Sequence, residues 1–88
     1  MRRGRIDIIY DILKAIQDKG GKIKPTHLLY KSNLSHKRLK LYLGELKEKQ
    51  LIEEVKVKNK TMISITDQGL DFFKNYKRIK EFTEAFGL

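Results

Sequence analysis

The chain contains no cysteine. A disulfide framework, a thiolate zinc site and a thiol nucleophile are thereby excluded, and a reducing compartment is compatible with it. Proline occurs once, at Pro25, so only one point along the chain has a fixed φ and no donor N–H. Long apolar runs are absent as well: none approaches the roughly 20 residues that cross a bilayer, which predicts a soluble chain with no membrane partner. The opening Met-Arg-Arg-Gly-Arg is basic like a signal peptide, but Asp7 and Asp11 interrupt the apolar residues that follow. It therefore reads as a helix rather than a targeting segment.

The most telling absence is of acid. Residues 1–66 hold 16 Lys or Arg against 7 Asp or Glu, whereas residues 67–88 hold 4 of each, so the whole net charge of +9 lies in the first part. From Lys19 to Gly44 there are 7 basic side chains and no acid, and from Val55 to Thr66 there are 3 lysines and no acid. Two separated acid-free segments imply a polyanionic partner.

What is present is helical periodicity. Ile6, Ile9, Leu13 and Ile16, broadened by Ile8, Ile12 and Tyr10, predict a first helix over Arg5 to Lys19 that ends at Gly20-Gly21. Lys22-Ile23-Lys24 alternates and suits a short strand. Pro25 fits the first turn of a second helix carrying Leu28 and Leu29, which Ser32-Asn33 breaks. After the turn Asn33-Leu34-Ser35, with Ser35 as N-cap, a third helix runs from His36 to Lys49. Its Leu39, Leu43 and Leu46 form a stripe with Tyr42 at the edge, and Lys37, Leu41, Gly44 and Glu48 lie opposite. Val55 and Val57, a turn at Lys58-Asn59-Lys60, then Ile63 and Ile65 predict a hairpin over 55–65 with one apolar face. Thr66 caps a fourth helix, with Asp67 in its first turn, running through Phe86 to Gly87. On it Leu70 and Phe73 are expected to close the core. Phe72, Tyr76, Ile79, Thr83 and Phe86 step by four and three, the spacing of a seam between two helices.

The expected architecture is α+β, mainly helical: a winged helix-turn-helix domain over 1–66 and a dimerisation helix over 67–88. In that geometry the third helix enters the DNA major groove. Ser35, His36, Lys37, Arg38, Lys40 and Leu41 lie outside the leucine stripe and are the expected base-reading residues. Arg38 suits guanine O6 and N7, and Leu41 a thymine methyl. The second helix's N-terminus, with Lys24, Thr26 and His27, is expected to hold a phosphate. Lys56, Lys58, Asn59 and Lys60 at the hairpin tip, and a basic arm of Arg2, Arg3 and Arg5, are the other expected backbone contacts.

Other chemistries find little support. His27 and His36 lack the third and fourth ligands zinc needs, so no metal or cofactor is expected. Ser32 and Ser35 have no base-and-orienter set, so they read as turn and cap residues and no enzyme is expected. Tyr10, Tyr30, Tyr42 and Tyr76 suit core edges better than base-stacking platforms.

Lys31-Ser32-Asn33-Leu34-Ser35, Tyr42-Leu43, Leu46, Leu51-Ile52, the basic hairpin and Thr66-Asp67-Gln68-Gly69 together resemble a family of archaeal winged-helix DNA-binding proteins. That family includes predicted transcriptional regulators and small chromatin-associated proteins, many pairing through an antiparallel C-terminal coiled coil. The resemblance covers almost the whole chain. Gln50 departs from it, standing where relatives commonly have glycine, and the C-terminal helix is short beside theirs. It implies a homodimer on double-stranded DNA in the cytoplasm, at the nucleoid. Three roles stay open: a regulator, a sequence-indifferent architectural protein, and a winged-helix module that binds an acidic protein.

Overall fold

The computed structural model describes residues 4–88. The expected order is present: α1 (Arg5–Asp18), β1 (Lys22–Ile23), α2 (Pro25–Ser32), α3 (His36–Glu48), β2 (Ile52–Val57), β3 (Lys60–Ile65) and α4 (Asp67–Ala85). The three strands form one antiparallel sheet in the order β1-β3-β2. The core lies where α1 meets everything else. Its Ile9, Ile12, Leu13 and Ile16 are buried with Leu28 of α2, Leu39 and Leu46 of α3, Ile23, Ile52 and Ile63 of the sheet, and Phe73 of α4. Ile6 is an exception to the expected stripe and stays largely exposed. It shares the azimuth of Leu13 but sits in the first turn, where the covering layer has ended.

The hairpin differs from expectation in a way that one residue explains. The tip is a two-residue turn, with Lys58 and Asn59 at φ 53° and 66°, the backbone of a type I′ turn whose twist matches that of the strands. Val57 therefore pairs with Lys60, Val55 with Met62, Glu54 with Ile63 and Ile52 with Ile65. A three-residue turn at 58–60 would have set Val55 opposite Ile63. Because side chains alternate, a one-residue change of register exchanges the faces. The hairpin thus has no single apolar face. Ile52, Ile63 and Ile65 turn towards the core, and Val55 and Val57 share the other face with Met62 and Lys60.

The root of the hairpin is tied twice. The Thr66 N–H donates to the Leu51 carbonyl at 3.1 Å, and the Thr66 hydroxyl donates to the Gln50 carbonyl at 2.6 Å while accepting the Gly69 N–H at 3.0 Å. Gln68 Nε2 adds a bond to the Lys49 carbonyl at 3.3 Å. Gly69 is buried against Leu51, and a Cβ there would collide with the Leu51 carbonyl oxygen and press on Ile65. At the end of α3, the Gln50 N–H bonds the Lys47 carbonyl at 3.0 Å and the Leu51 N–H bonds the Leu46 carbonyl at 2.9 Å. This is a Schellman ending, which places Gln50 at φ 62°. The glycine that the family resemblance leads one to expect here would suit this left-handed backbone, which a residue without a Cβ adopts freely.

α4 is one helix of 19 residues, about 28 Å long at 1.5 Å per residue. Its first half belongs to the domain. Phe73 stacks on Tyr10 with centroids 5.2 Å apart, Tyr76 lies 5.3 Å from Tyr10, and the Tyr76 hydroxyl donates to Asp7 Oδ1 at 2.7 Å. Tyr76, expected on a seam facing another chain, packs against this domain's own core, because α1 offers it the Tyr10 ring and the Asp7 carboxylate. Phe72, expected on the same seam, is half-buried and stacks on Tyr76. Beyond Tyr76 the side chains are exposed except for the half-buried Lys80 and Thr83, and the molecule measures 47 × 26 × 22 Å.

Gly69→Ala should lose about 3 kcal/mol of stability, the upper range for overpacking against unyielding backbone. Gln50→Gly should gain about 0.5 to 1 kcal/mol by relieving the left-handed strain, net of glycine's chain entropy. Urea unfolding of the two variants beside the parent chain checks both, and a stable Gly69→Ala protein would refute the close approach.

Candidate nucleic-acid interface

The presentation of α3 begins in the turn before it. Asn33 adopts φ 57°, which reverses the chain sharply. The buried Ser32 hydroxyl donates to the Leu29 carbonyl at 3.1 Å and accepts the Leu34 N–H at 3.4 Å, pinning the turn from inside. Ser35 then caps α3 by accepting the Arg38 N–H at 3.2 Å. With Leu39 and Leu46 buried, the helix rotation is fixed, and its remaining azimuths face outward.

Ser35, His36, Lys37, Arg38, Lys40 and Leu41 are all exposed, and they divide into three directions. Lys37 and Leu41 point directly away from the leucine stripe, with Leu41 68% exposed. His36 and Lys40 flank the side towards α2, where they line a cleft with Pro25, Thr26 and Leu29. Arg38 lies on the opposite flank, beside Arg5, Tyr42 and Glu45. The acids of the second half of α3 are partly neutralised from within: Glu45 forms an ion pair with Arg5 of α1. Lys47 of the same half reaches across to Glu54 of β2 at 2.6 Å. Arg5 thus sits in the first helical turn and is engaged by α3, instead of belonging to an extended arm. Arg2 and Arg3 of that expected arm lie outside the described residues.

On α2, Lys24 and Thr26 are exposed at the N-terminus, where the first amides have no carbonyl ahead of them in the helix. His27 is surrounded by cations that sequence reading did not connect to it. Repulsion by Lys19 comes first in lowering its pKa from 6.5, followed by lost hydration and by Lys31 and Lys24. The signal was available for two of these, because Lys24, His27 and Lys31 follow the three-then-four spacing of one helix face. Lys19 arrives through the Gly20-Gly21 turn. The wing tip carries Lys56, Lys58, Asn59 and Lys60, all exposed, on the rigid two-residue turn. Among the described residues no group of three or more His, Cys, Asp or Glu is placed to hold a metal ion.

A second exposed feature lies on the far half of α4. Ile79, Phe82 and Phe86 are each more than half exposed, and Leu88 lies beyond them. The Phe82 and Phe86 rings contact at 4.8 Å between centroids. Thr83 is half-buried and returns its hydroxyl to the Ile79 carbonyl at 2.6 Å. Phe82 was missed by the heptad reading because it falls one step to the side of the four-three spacing, although its position four before Phe86 was visible.

A winged helix-turn-helix family model matches residues 2–84. No curated protein matches the sequence. Solved structures do. Sso10a-2, a DNA-binding protein from Sulfolobus solfataricus, is 19% identical with a TM-score of 0.78, over 96% of this chain and 85% of its own. F93 from STIV, a winged-helix DNA-binding protein, is 18% identical with a TM-score of 0.78, over 96% and 95%. AF1382 from Archaeoglobus fulgidus is 17% identical with a TM-score of 0.74, over 92% and 91%. At these identities the likeness is one of fold.

The cations around His27 carry a pH consequence. Its folded pKa lies below 6.5, so between the two values the unfolded chain binds the proton more readily and stability rises with pH. Stability should therefore fall as pH drops from about 7.5 towards 5, and His27→Gln should flatten part of that slope. Urea midpoints across the range measure it. An unchanged slope in His27→Gln would remove the lysine effect.

Proposed function

This chain belongs to the winged helix-turn-helix family, and we propose that it is a DNA-binding transcriptional regulator acting as a homodimer at the nucleoid, in the cytoplasm. The observation that carries the reading is the outward face of the first half of α3, which is exposed and acid-free and bears Lys37, Arg38 and Leu41. The α3 helix enters the major groove by its N-terminal half. Arg38 reads guanine through O6 and N7, Leu41 touches a thymine methyl, and Lys37 reaches guanine or phosphate. Ser35, His36 and Lys40 line the flank of the inserted helix. Lys24, Thr26 and His27, with Lys19 and Lys31 behind them, hold one phosphate strand, and Lys56, Lys58, Asn59 and Lys60 of the wing hold another.

An exposed leucine on the inserted face favours base reading over indifferent compaction, since phosphate offers it nothing. The architectural alternative draws on the net charge of +9 and predicts equal affinity for unrelated duplexes. A regulator prefers its site by roughly 10³ to 10⁷.

Pairing uses the free half of α4. Ile79, Thr83 and Phe86, joined by Phe82, cover their counterparts in a second copy, while Phe72 and Tyr76 anchor the helix in its own domain. Lys74, Lys77, Arg78 and Lys80 precede Glu81 and Glu84. An antiparallel arrangement sets the basic stretch of one helix beside the acidic stretch of the other, and a parallel one sets like against like.

Fluorescence anisotropy with random duplex DNA should show affinity falling by roughly 10³ to 10⁵ between about 50 and 200 mM salt. Lys37→Ala/Arg38→Ala should weaken binding by about tenfold or more. Absence of binding at low salt would sink the DNA reading. For the pairing, light scattering after gel filtration should give a dimer for the parent chain and a folded monomer for Phe82→Glu/Phe86→Glu; a monomeric parent chain at high concentration would count against it.

A further inference from the structure

The cleft between α2 and α3 has a volume of about 320 Å³ and a mostly apolar lining. Leu29, Leu39 and Leu43 make its floor, and the exposed Pro25, Thr26, His36 and Lys40 surround its mouth. No acid lines it. His36 and Lys40 are one helical turn apart on the same side of α3, so an imidazole and an ammonium both border the leucine floor. The DNA contacts proposed above do not account for this shape. A phosphate oxygen gains nothing from leucine, and a base edge in the groove faces Lys37 and Leu41 on a different azimuth.

We infer that this cleft is a binding site for a small amphipathic carboxylate, with its apolar body on the leucines and its carboxylate between Lys40 and His36 at the mouth. Charge and shape together select the occupant. An apolar floor alone takes any hydrocarbon and a cationic rim alone takes any anion, but the two combined prefer a molecule with both parts. The volume is at the small end of ligand sites, which run from about 300 to 1,000 Å³, and leaves room for a body of one or two rings. The first-turn amide of Thr26, with no carbonyl ahead of it in α2, adds a donor on the same rim.

The consequence rests on the DNA reading. A bound carboxylate neutralises Lys40 and engages His36 on the flank of the inserted helix, and it occupies space beside the phosphate-holding end of α2. Ligand and DNA therefore exclude one another, and by linkage each weakens the other by the same factor.

Titration of the ¹⁵N-labelled full chain with benzoate, followed by amide chemical shifts, tests the site without DNA. Acetate serves as the charge-only control and benzamide as the ring-only control, all at matched ionic strength. Benzoate is expected to give saturating shifts centred on Thr26, Leu29, Lys40 and Leu43, with acetate and benzamide far weaker. Lys40→Gln, at an exposed position that leaves the fold intact, should weaken benzoate by about tenfold, as expected for one charge-assisted hydrogen bond. Shifts that stay linear into tens of millimolar, or that acetate reproduces, overturn the site. Anisotropy then tests the coupling: benzoate at saturating concentration should release DNA where acetate does not, and saturation of the cleft with unchanged DNA affinity overturns the competition. A chain that binds benzoate at the cleft but no DNA would refute the DNA reading and uphold the cleft.

Discussion

The Leu51 carbonyl accepts the Thr66 N–H at 3.1 Å and lies so near residue 69 that only glycine fits there. Three things are set at this one place: where α3 ends, where the hairpin starts and returns, and where α4 begins. The Thr66 hydroxyl strengthens it by bonding Gln50 on one side and Gly69 on the other. Leu51 and Gly69 are buried, so leaving either of their backbone groups unpaired would cost about 1 to 3 kcal/mol, while the bond to Gln50 is exposed and contributes less. The hairpin and α3 are therefore parts of one rigid body, and α4 leaves that body in a fixed direction.

Electrostatics are arranged around the same body. Glu45 is matched by Arg5 and Glu54 by Lys47, while Asp7 receives the Tyr76 hydroxyl. These partly exposed pairs contribute little to stability, about 0 to 1 kcal/mol each. Their larger effect is on the field: acids next to the exposed face of α3 are offset locally, and the excess cations on α2, the first half of α3 and the hairpin tip face outward. Arg5 shows the trade most clearly. Its positive charge is spent within the domain, and in exchange the negative charge of Glu45 is offset.

Most of the fold was legible because its signals are local. Ser35 as a cap, Pro25 at a helix start, Thr66 before Asp67 and the leucine stripe of α3 each depend on a few neighbouring residues, and the structure has them all. What failed to show depended on distance or on a single count. The faces of the hairpin hinged on whether Lys60 belonged to the turn or to the strand. The place of Tyr76 hinged on Tyr10 and Asp7, more than sixty residues away. Lys19 joined His27 through a loop whose path no periodicity describes. Gln50 is the intermediate case: its departure from the family's glycine was visible, and the backbone conformation that gives the departure meaning was not.

The two-residue wing tip has a bearing on how such a protein can change over generations. Because the register is counted from the turn, adding one residue there would move Ile63 and Ile65 from the inner face of the sheet to the outer one. Adding one residue to each strand leaves every existing partnership intact and only lengthens the projection. The wing can therefore be tuned in whole rungs, whereas odd insertions must be absorbed by a bulge that re-aims the strand. The reach of the hairpin is in this sense a stepped quantity, and the lysines at the tip travel with each step without disturbing the core beneath them.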